Sequence, residues 1–189
     1  MKVSREKAAE NRETIVKAAG SLFREKGFDG IGVADIMQAA DLTHGGFYRH
    51  FKSKDDLATE ASKAVMARSV VAWNKVLEDA PGKPLAALVE HYLSKRMRDD
   101  AGRGCAFASL GADAARQGKP VRAAFAAGLR PLIDILTRLV PGISKVARRR
   151  KALATMAQMV GAIVLSRAVD DAGFSDEILA ASKAELLRN

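Results

Sequence analysis

The chain has 189 residues, 48% of them hydrophobic and 28% charged, long enough to bury a real core in one or two domains. It carries 31 Lys and Arg against 22 Asp and Glu, a formal net charge of +9 that suggests an anionic partner. A single cysteine, Cys105, excludes an intrachain disulfide framework and fits a reducing, cytoplasmic setting, and no apolar run of about 18 residues exists, so no membrane span is expected.

The first 14 residues are charged and lack an apolar segment, so a secretory leader is not expected. Few prolines and frequent Ala, Leu and Arg point to an all-α fold. Ile15, Ala18, Ala19, Leu22 and Phe23 recur at helical spacing and predict a helix over 5–26, with Gly27 as its C-cap. A two-turn helix follows over 33–40, with Val33, Ile36, Met37 and Ala40 inward. Asp41-Leu42 forms a tight turn, and Asp tolerates the left-handed conformation better than most residues. Thr43 then caps a third short helix over 44–50. Ser53 caps a fourth that runs to about Glu78, with Asp55 and Asp56 in its first turn.

Beyond Glu78 the punctuation is set by turn residues. Ala80 to Pro84 form a turn cluster, a fifth helix spans 84–99, and Asp99 to Gly104 break it. A sixth helix covers 105–117. A seventh starts near Pro120 and runs to Val140, with Gly128 or Pro131 as places where it would bend. An eighth covers 145–171 with Gly173 as its cap, and Ser175 starts a ninth over 176–188. About nine helices are thus expected.

Three short helices with tight connections, followed by a capped long one, form a helix-turn-helix pattern. In it Gly45 and Gly46 have a purpose, because without side chains the backbone can approach DNA closely. Phe47 and Phe51, four apart, lock the short helix to the core. Tyr48, His50 and Lys54 are placed to meet phosphates, leaving Thr43, His44 and Arg49 to read bases. On spacing alone the same stretch also suits a compact turn in an unrelated core. Bulk charge does not locate the site: residues 1–56 hold ten Lys and Arg against nine Asp and Glu, whereas residues 57–189 hold twenty-one against thirteen. Part of that excess is the run from Lys145 to Lys151, read as a solvated helix start.

The segments Ile15 to Ala19, Leu22-Phe23, Gly27-Phe28, Val33 to Ile36, Leu42-Thr43, Gly46 to Phe51 and Ser53-Lys54 with Leu57 resemble the N-terminal DNA-binding domain of TetR-family regulators. The resemblance covers about residues 12–60, with many positions matching in order and spacing. It implies an all-α homodimer with residues 1–56 as the helix-turn-helix domain and 57–189 as a ligand-binding and dimerisation domain. Such a regulator is usually a repressor released from double-stranded operator DNA by a small-molecule effector. Tyr48, His50 and Lys54 match positions that commonly contact phosphate, and Thr43, His44 and Gly45 match the base-facing start of the recognition helix. Two departures are Asp41, where the family usually has Gly, and Gly32, where Ser or Thr often caps the second helix.

For the second domain the candidate pocket residues are Met66, Trp73, Tyr92 and Met97, then Cys105, Phe107, Leu110 and Phe125, since Met and aromatics build adaptable apolar cavities. The alternative for each is ordinary core. Leu153, Met156, Val160, Ile163 and Val164 make one stripe for a dimer interface, with Ala157, Gly161 and Ala162 allowing close approach. Ile178, Leu179, Leu186 and Leu187 make a second.

Cys105 follows Gly104 and Arg103 near a helix start, which favours thiolate, yet free cysteines are usually buried hydrophobes. An electrophile or oxidant sensor and an architectural DNA-binding protein are the alternatives to an effector-gated regulator. No enzyme is expected: His44, His50 and His91 lack metal-ligand spacing, and no phosphate loop, nucleophile elbow or HExxH occurs. No cofactor is implied.

Overall fold

A computed structural model describes residues 4–188 of the chain, so the first three residues of the charged N-terminal stretch lie outside it. Among the described residues the regular elements are all helical: α1 (Arg5–Lys26), α2 (Val33–Ala39), a 3-10 helix (His44–Arg49), α3 (Lys54–Asp79), α4 (Pro84–Tyr92), α5 (Lys95–Asp99), α6 (Ala106–Arg116), α7 (Lys119–Leu139), α8 (Lys145–Ala168) and α9 (Ala172–Leu187). None is long and apolar enough to cross a membrane.

Local signals explain most of the boundaries. Ser4 accepts a bond from the Lys7 amide at 3.1 Å and starts α1. Gly27 ends it at φ 78, with its N–H on the Phe23 carbonyl at 2.8 Å. Gly32 has no side chain to cap α2, and Asp35 supplies half of the usual exchange by accepting the Gly32 amide at 3.1 Å. Asp41 takes φ 56, the left-handed turn expected of it. Ser53 caps α3 through the Asp56 amide at 3.1 Å, and Asp56 returns a bond from the Lys52 amide at 3.2 Å.

Three sequence expectations need correction. The third helix is 3-10 rather than α, because two glycines and only six residues leave little to stabilise a wider turn. The expected single helix over 84–99 is two: the Ser94 hydroxyl donates to the His91 carbonyl at 2.8 Å and accepts from the Met97 amide at 3.3 Å, competing with the backbone ladder. Gly173 does not cap the eighth helix. It lies in the first turn of α9, which starts earlier than expected because Asp171 caps it through the Phe174 amide at 2.9 Å. The seventh helix is continuous through Gly128 and Pro131, and Gly128 serves packing, since a Cβ there would overlap the Met66 side chain of α3.

Two hydrophobic cores run along α3. The first gathers α1, α2, the 3-10 helix and the first half of α3, and continues into α6 and α7 through Leu110, Ala114, Val121 and Phe125. The second gathers the rest of α3 with α4, α7, α8 and α9 around Trp73, Tyr92, Leu136 and Ile163. The helix-turn-helix unit is therefore not packed on α3 alone. Phe28 meets Phe125 at 6.4 Å between ring centroids, so α7 supports it directly.

Candidate nucleic-acid interface and interior cavity

The 3-10 helix presents two faces. Phe47 and Phe51 are buried, their rings stacked 5.7 Å apart, and fix it to the core. On the other face Thr43, His44, Gly45 and Arg49 are exposed, and Tyr48 is 70% exposed while its ring stands edge-on to Phe47 at 5.2 Å. Gly46, His50 and Lys54 are half-buried at the margin of this surface. The eight expected residues thus share one stretch of surface, with Lys54 at the first turn of α3.

Three details bear on what this surface can do. Thr43 occupies the N-cap position but its hydroxyl makes no capping bond, contrary to expectation; the Gly46 amide bonds the Thr43 carbonyl at 2.9 Å instead. The hydroxyl is left for another partner. Neither Gly45 nor Gly46 has a positive φ, and a Cβ on Gly45 would meet nothing within 4 Å. The fold itself does not require these glycines. Burial and the charges of Arg12 and Arg49 push His50 below the usual histidine range, so at neutral pH it offers a single N–H.

Sequence reasoning missed Arg12. From α1 its guanidinium donates to the His50 carbonyl at the end of the 3-10 helix and pairs with both oxygens of Glu60 on α3, its Nε standing 3.1 Å from Oε1. It also covers the Phe51 ring at 4.2 Å from the centroid. One side chain thereby ties α1, the short helix and α3 together. In the sequence it is one of many charges on α1, and no local signal distinguishes it.

A cavity of about 850 Å³ lies between α1, the middle of α3, α4, α5 and the loop before α6. Trp73, Tyr92, Met97 and Cys105 line it, as four of the expected pocket residues. The other four do not. Met66 is wedged on Gly128, and Leu110 and Phe125 fill the first core, against which the half-buried Phe107 also packs, its ring edge-on to Phe125 at 5.5 Å. Apolar character alone did not separate core from cavity wall.

The apolar end of the cavity is formed by Trp73, edge-on to Tyr92 at 6.0 Å, with Leu132 beside them. The lining is also cationic. Lys17 and Arg24 come from α1, Arg68 and Lys75 from α3, and Arg96 and Arg103 from α5 and its loop, mostly exposed, against one lining carboxylate, Asp100. Arg24 bonds the Gly102 and Gly104 carbonyls, and Ser21 donates to Gly102 at 3.2 Å, so α1 grips the loop before α6. Arg167 of α8 grips the same region from behind, through the Met97 carbonyl at 2.6 Å, the Arg98 carbonyl at 2.7 Å and the Ser109 hydroxyl at 2.9 Å. The loop is thus held both by the helix-turn-helix unit and by α8.

Cys105 precedes α6 but is only 6% exposed. Burial pushes its thiol above the usual range despite the nearby Tyr92 hydroxyl and Arg167 charge, so the activation suggested by its flanking residues is absent.

The stripes expected at a dimer interface also divide. Met156, Ala162, Ile163 and Leu179 are buried inside the chain, and Ile178, Leu186 and Leu187 pack against the second core. Leu153 (47% exposed), Ala157 and Val164 face outward along α8, with Gly161 half-buried, Val160 half-buried against the second core and Phe174 of α9 50% exposed. Among the described residues no group of three or more His, Cys, Asp or Glu is placed to hold a metal ion.

Residues 15–61 match the family model described as bacterial regulatory proteins, tetR family. The chain is 30% identical over 94 residues to the HTH-type transcriptional repressor DhaR of Mycobacterium sp. (strain GP1), a match covering 50% of this chain and 47% of DhaR. It is 23% identical over 136 residues to the HTH-type transcriptional repressor NemR of Escherichia coli K12, covering 68% and 66%. Across the first curated relatives the match spans between 31% and 66% of their length. The crystal structure of the reduced form of E. coli NemR superposes with a TM-score of 0.78 at 20% identity, covering 94% of this chain and 95% of that one. A TetR transcriptional regulator from Chloroflexus aurantiacus superposes with a TM-score of 0.79 at 24% identity, covering 97% and 98%. These likenesses show a common fold.

Proposed function

We propose that this chain, which belongs to the TetR family of transcriptional regulators, is a cytoplasmic homodimeric repressor that binds operator DNA and is released by a small-molecule effector. The observation that carries the reading is the surface of the 3-10 helix. Its buried face is pinned by Phe47, Phe51 and Arg12, while Thr43, His44, Tyr48 and Arg49 are exposed around a glycine that the fold does not need. Such a surface suits the major groove, with Thr43, His44 and Arg49 at base edges and Tyr48, His50 and Lys54 on phosphates. That two relatives are named as repressors supports the sign of regulation.

One short helix reads too little sequence, so two copies on neighbouring half-sites are required. The outward apolar stripe on α8, from Leu153 to Val164, supplies a self-complementary face for a two-fold axis. The cavity supports the effector. Its walls come from α1 and from the loop held by Arg24 and Arg167, so an occupant that prefers one arrangement of these elements shifts the spacing of the two reading heads. The buried, neutral Cys105 supports a packing role over a thiol sensor.

The test is selection of bound duplexes from a random pool by the purified chain. A two-fold-symmetric site is expected. Tyr48→Phe and Lys54→Ala should weaken all good sites alike, and Thr43→Ala or His44→Ala should change base preference. Log affinity should fall with log salt by about 0.9 for each phosphate neutralised. Binding that shows no sequence preference would point to an architectural protein instead.

A further inference from the structure

Resting on the effector-gated reading, we infer that the cavity takes an amphipathic carboxylate, its anionic head held between Arg24 and Arg68 and its apolar body against Trp73, Tyr92 and Leu132. Three observations converge on this chemistry.

The first is a pair of cations with no carboxylate in direct contact. The head of Arg68 reaches α1, where its Nη2 lies 3.4 Å from the place a Cβ on Gly20 would occupy. Arg24 is one turn further along the same face of α1. Among the described residues neither guanidinium has a carboxylate within ion-pair distance, whereas the neighbouring Lys75 is paired with Asp79 at 2.7 Å. Glu25, which accepts from the Ser21 hydroxyl at 3.1 Å, and Asp100 offset only part of the charge on Arg24. Burial, and next the charge of Arg68, bring Arg24 down to about 10, far below an ordinary guanidinium. Arg68 is exposed and lines the same space, so an anion there meets two guanidiniums.

The second is an unused donor. The Nε of Arg24 is buried without a hydrogen-bond partner, while its terminal nitrogens contact the Gly102 and Gly104 carbonyls. A planar carboxylate is the acceptor that a guanidinium edge fits best. The third is the far wall. Trp73, Tyr92 and Leu132 are buried apolar surface lining the same space, and about 850 Å³ suits a small molecule with a hydrocarbon or aromatic body.

The position also gives the anion a lever. Arg24 ties α1 to the loop before α6, and a carboxylate on its Nε edge also reaches the terminal nitrogen that bonds the Gly102 carbonyl. Binding therefore loosens the grip of the helix-turn-helix unit on that loop.

The experiment is titration of the full chain with octanoate and phenylbutyrate, and with their uncharged amides, at constant ionic strength. Trp73, the chain's single tryptophan, reports occupancy by its fluorescence. The expected result is that the carboxylates bind about tenfold or more tightly than the amides. Arg68→Gln, which removes no bond seen within the fold, should erase that preference and leave amide binding unchanged. Arg24→Gln should also erase the preference, while releasing the Gly102 and Gly104 carbonyls as well. Equal affinity for acid and amide, no saturable binding of either carboxylate at millimolar concentration, or a preference that survives Arg68→Gln would overturn the inference. Operator release is measured on the same samples. A carboxylate that binds with the arginine dependence yet leaves the operator complex intact sustains the anion site and defeats the effector-released repressor. Release by neutral compounds alone does the reverse.

Discussion

Arg12 on α1 pairs with both oxygens of Glu60 on α3, and between them they hold the carbonyl end of the recognition helix at His50. A six-residue 3-10 helix with two glycines has little stability of its own, so its orientation is imposed from outside. Arg12→Ala should therefore cost more in DNA binding than in folding. The pair is half-exposed, which limits the loss of stability to about 1 kcal/mol. Operator affinity should fall about tenfold or more, because the reading surface loses its fixed angle. Urea unfolding and a gel-shift titration on one preparation separate the two. Equal losses in both would mean that Arg12 acts only on global stability.

Gly45→Ala should part folding from function in the opposite sense. The site is open and its backbone is accessible to any L-residue, so the substitution should leave the fold intact or stabilise it by roughly 0.5–1 kcal/mol. On the proposed reading DNA affinity should nevertheless drop, since the new methyl would hold the backbone off the duplex. Wild-type affinity in the variant would show that the glycine is dispensable for recognition.

Asp41→Gly is expected to raise stability by roughly 0.5–1 kcal/mol. Asp41 sits at φ 56, where a Cβ is crowded and glycine is not. It lies in the turn before the recognition helix, and removing its carboxylate should also relieve repulsion of nearby phosphate. Thermal melts with and without operator duplex would reveal both effects; a lower midpoint in the free protein would show that the Asp side chain contributes more than the backbone cost.

Burial of Cys105 has a pH signature. Its thiol is pushed up in the native chain, so the folded protein keeps a proton that the unfolded chain releases. That contribution to stability is complete below the unfolded value of about 8.5 and declines as pH rises through the native one. Cys105→Ala should flatten this decline, seen as a smaller difference between urea midpoints at about pH 7 and about pH 9.5. The native thiol should also be alkylated slowly and the urea-unfolded one quickly. Rapid alkylation of the folded chain would restore the thiol-sensing alternative.

The helical class and most of the turn chemistry were legible in the residues. Ile15, Ala19 and Phe23 must face inward at 3.6-residue spacing, Gly27 and Ser53 mark helix ends, and Thr43 to Lys54 have an order and spacing that few other arrangements share. All of these are local facts, settled within one or two turns of chain. The cavity was not legible in this way. Met66 and Trp73 look alike as large apolar residues on one helix, yet Gly128 of α7 claims the first and an open space faces the second. Arg24 looks like a cation suited to the end of its helix. Only packing brings it beside Arg68, and onto the carbonyls of Gly102 and Gly104 roughly eighty residues away, where burial lowers its pKa. Periodicity and capping act between neighbours in the chain, whereas burial and the meeting of like charges depend on helices crossing, and no short stretch carries that information.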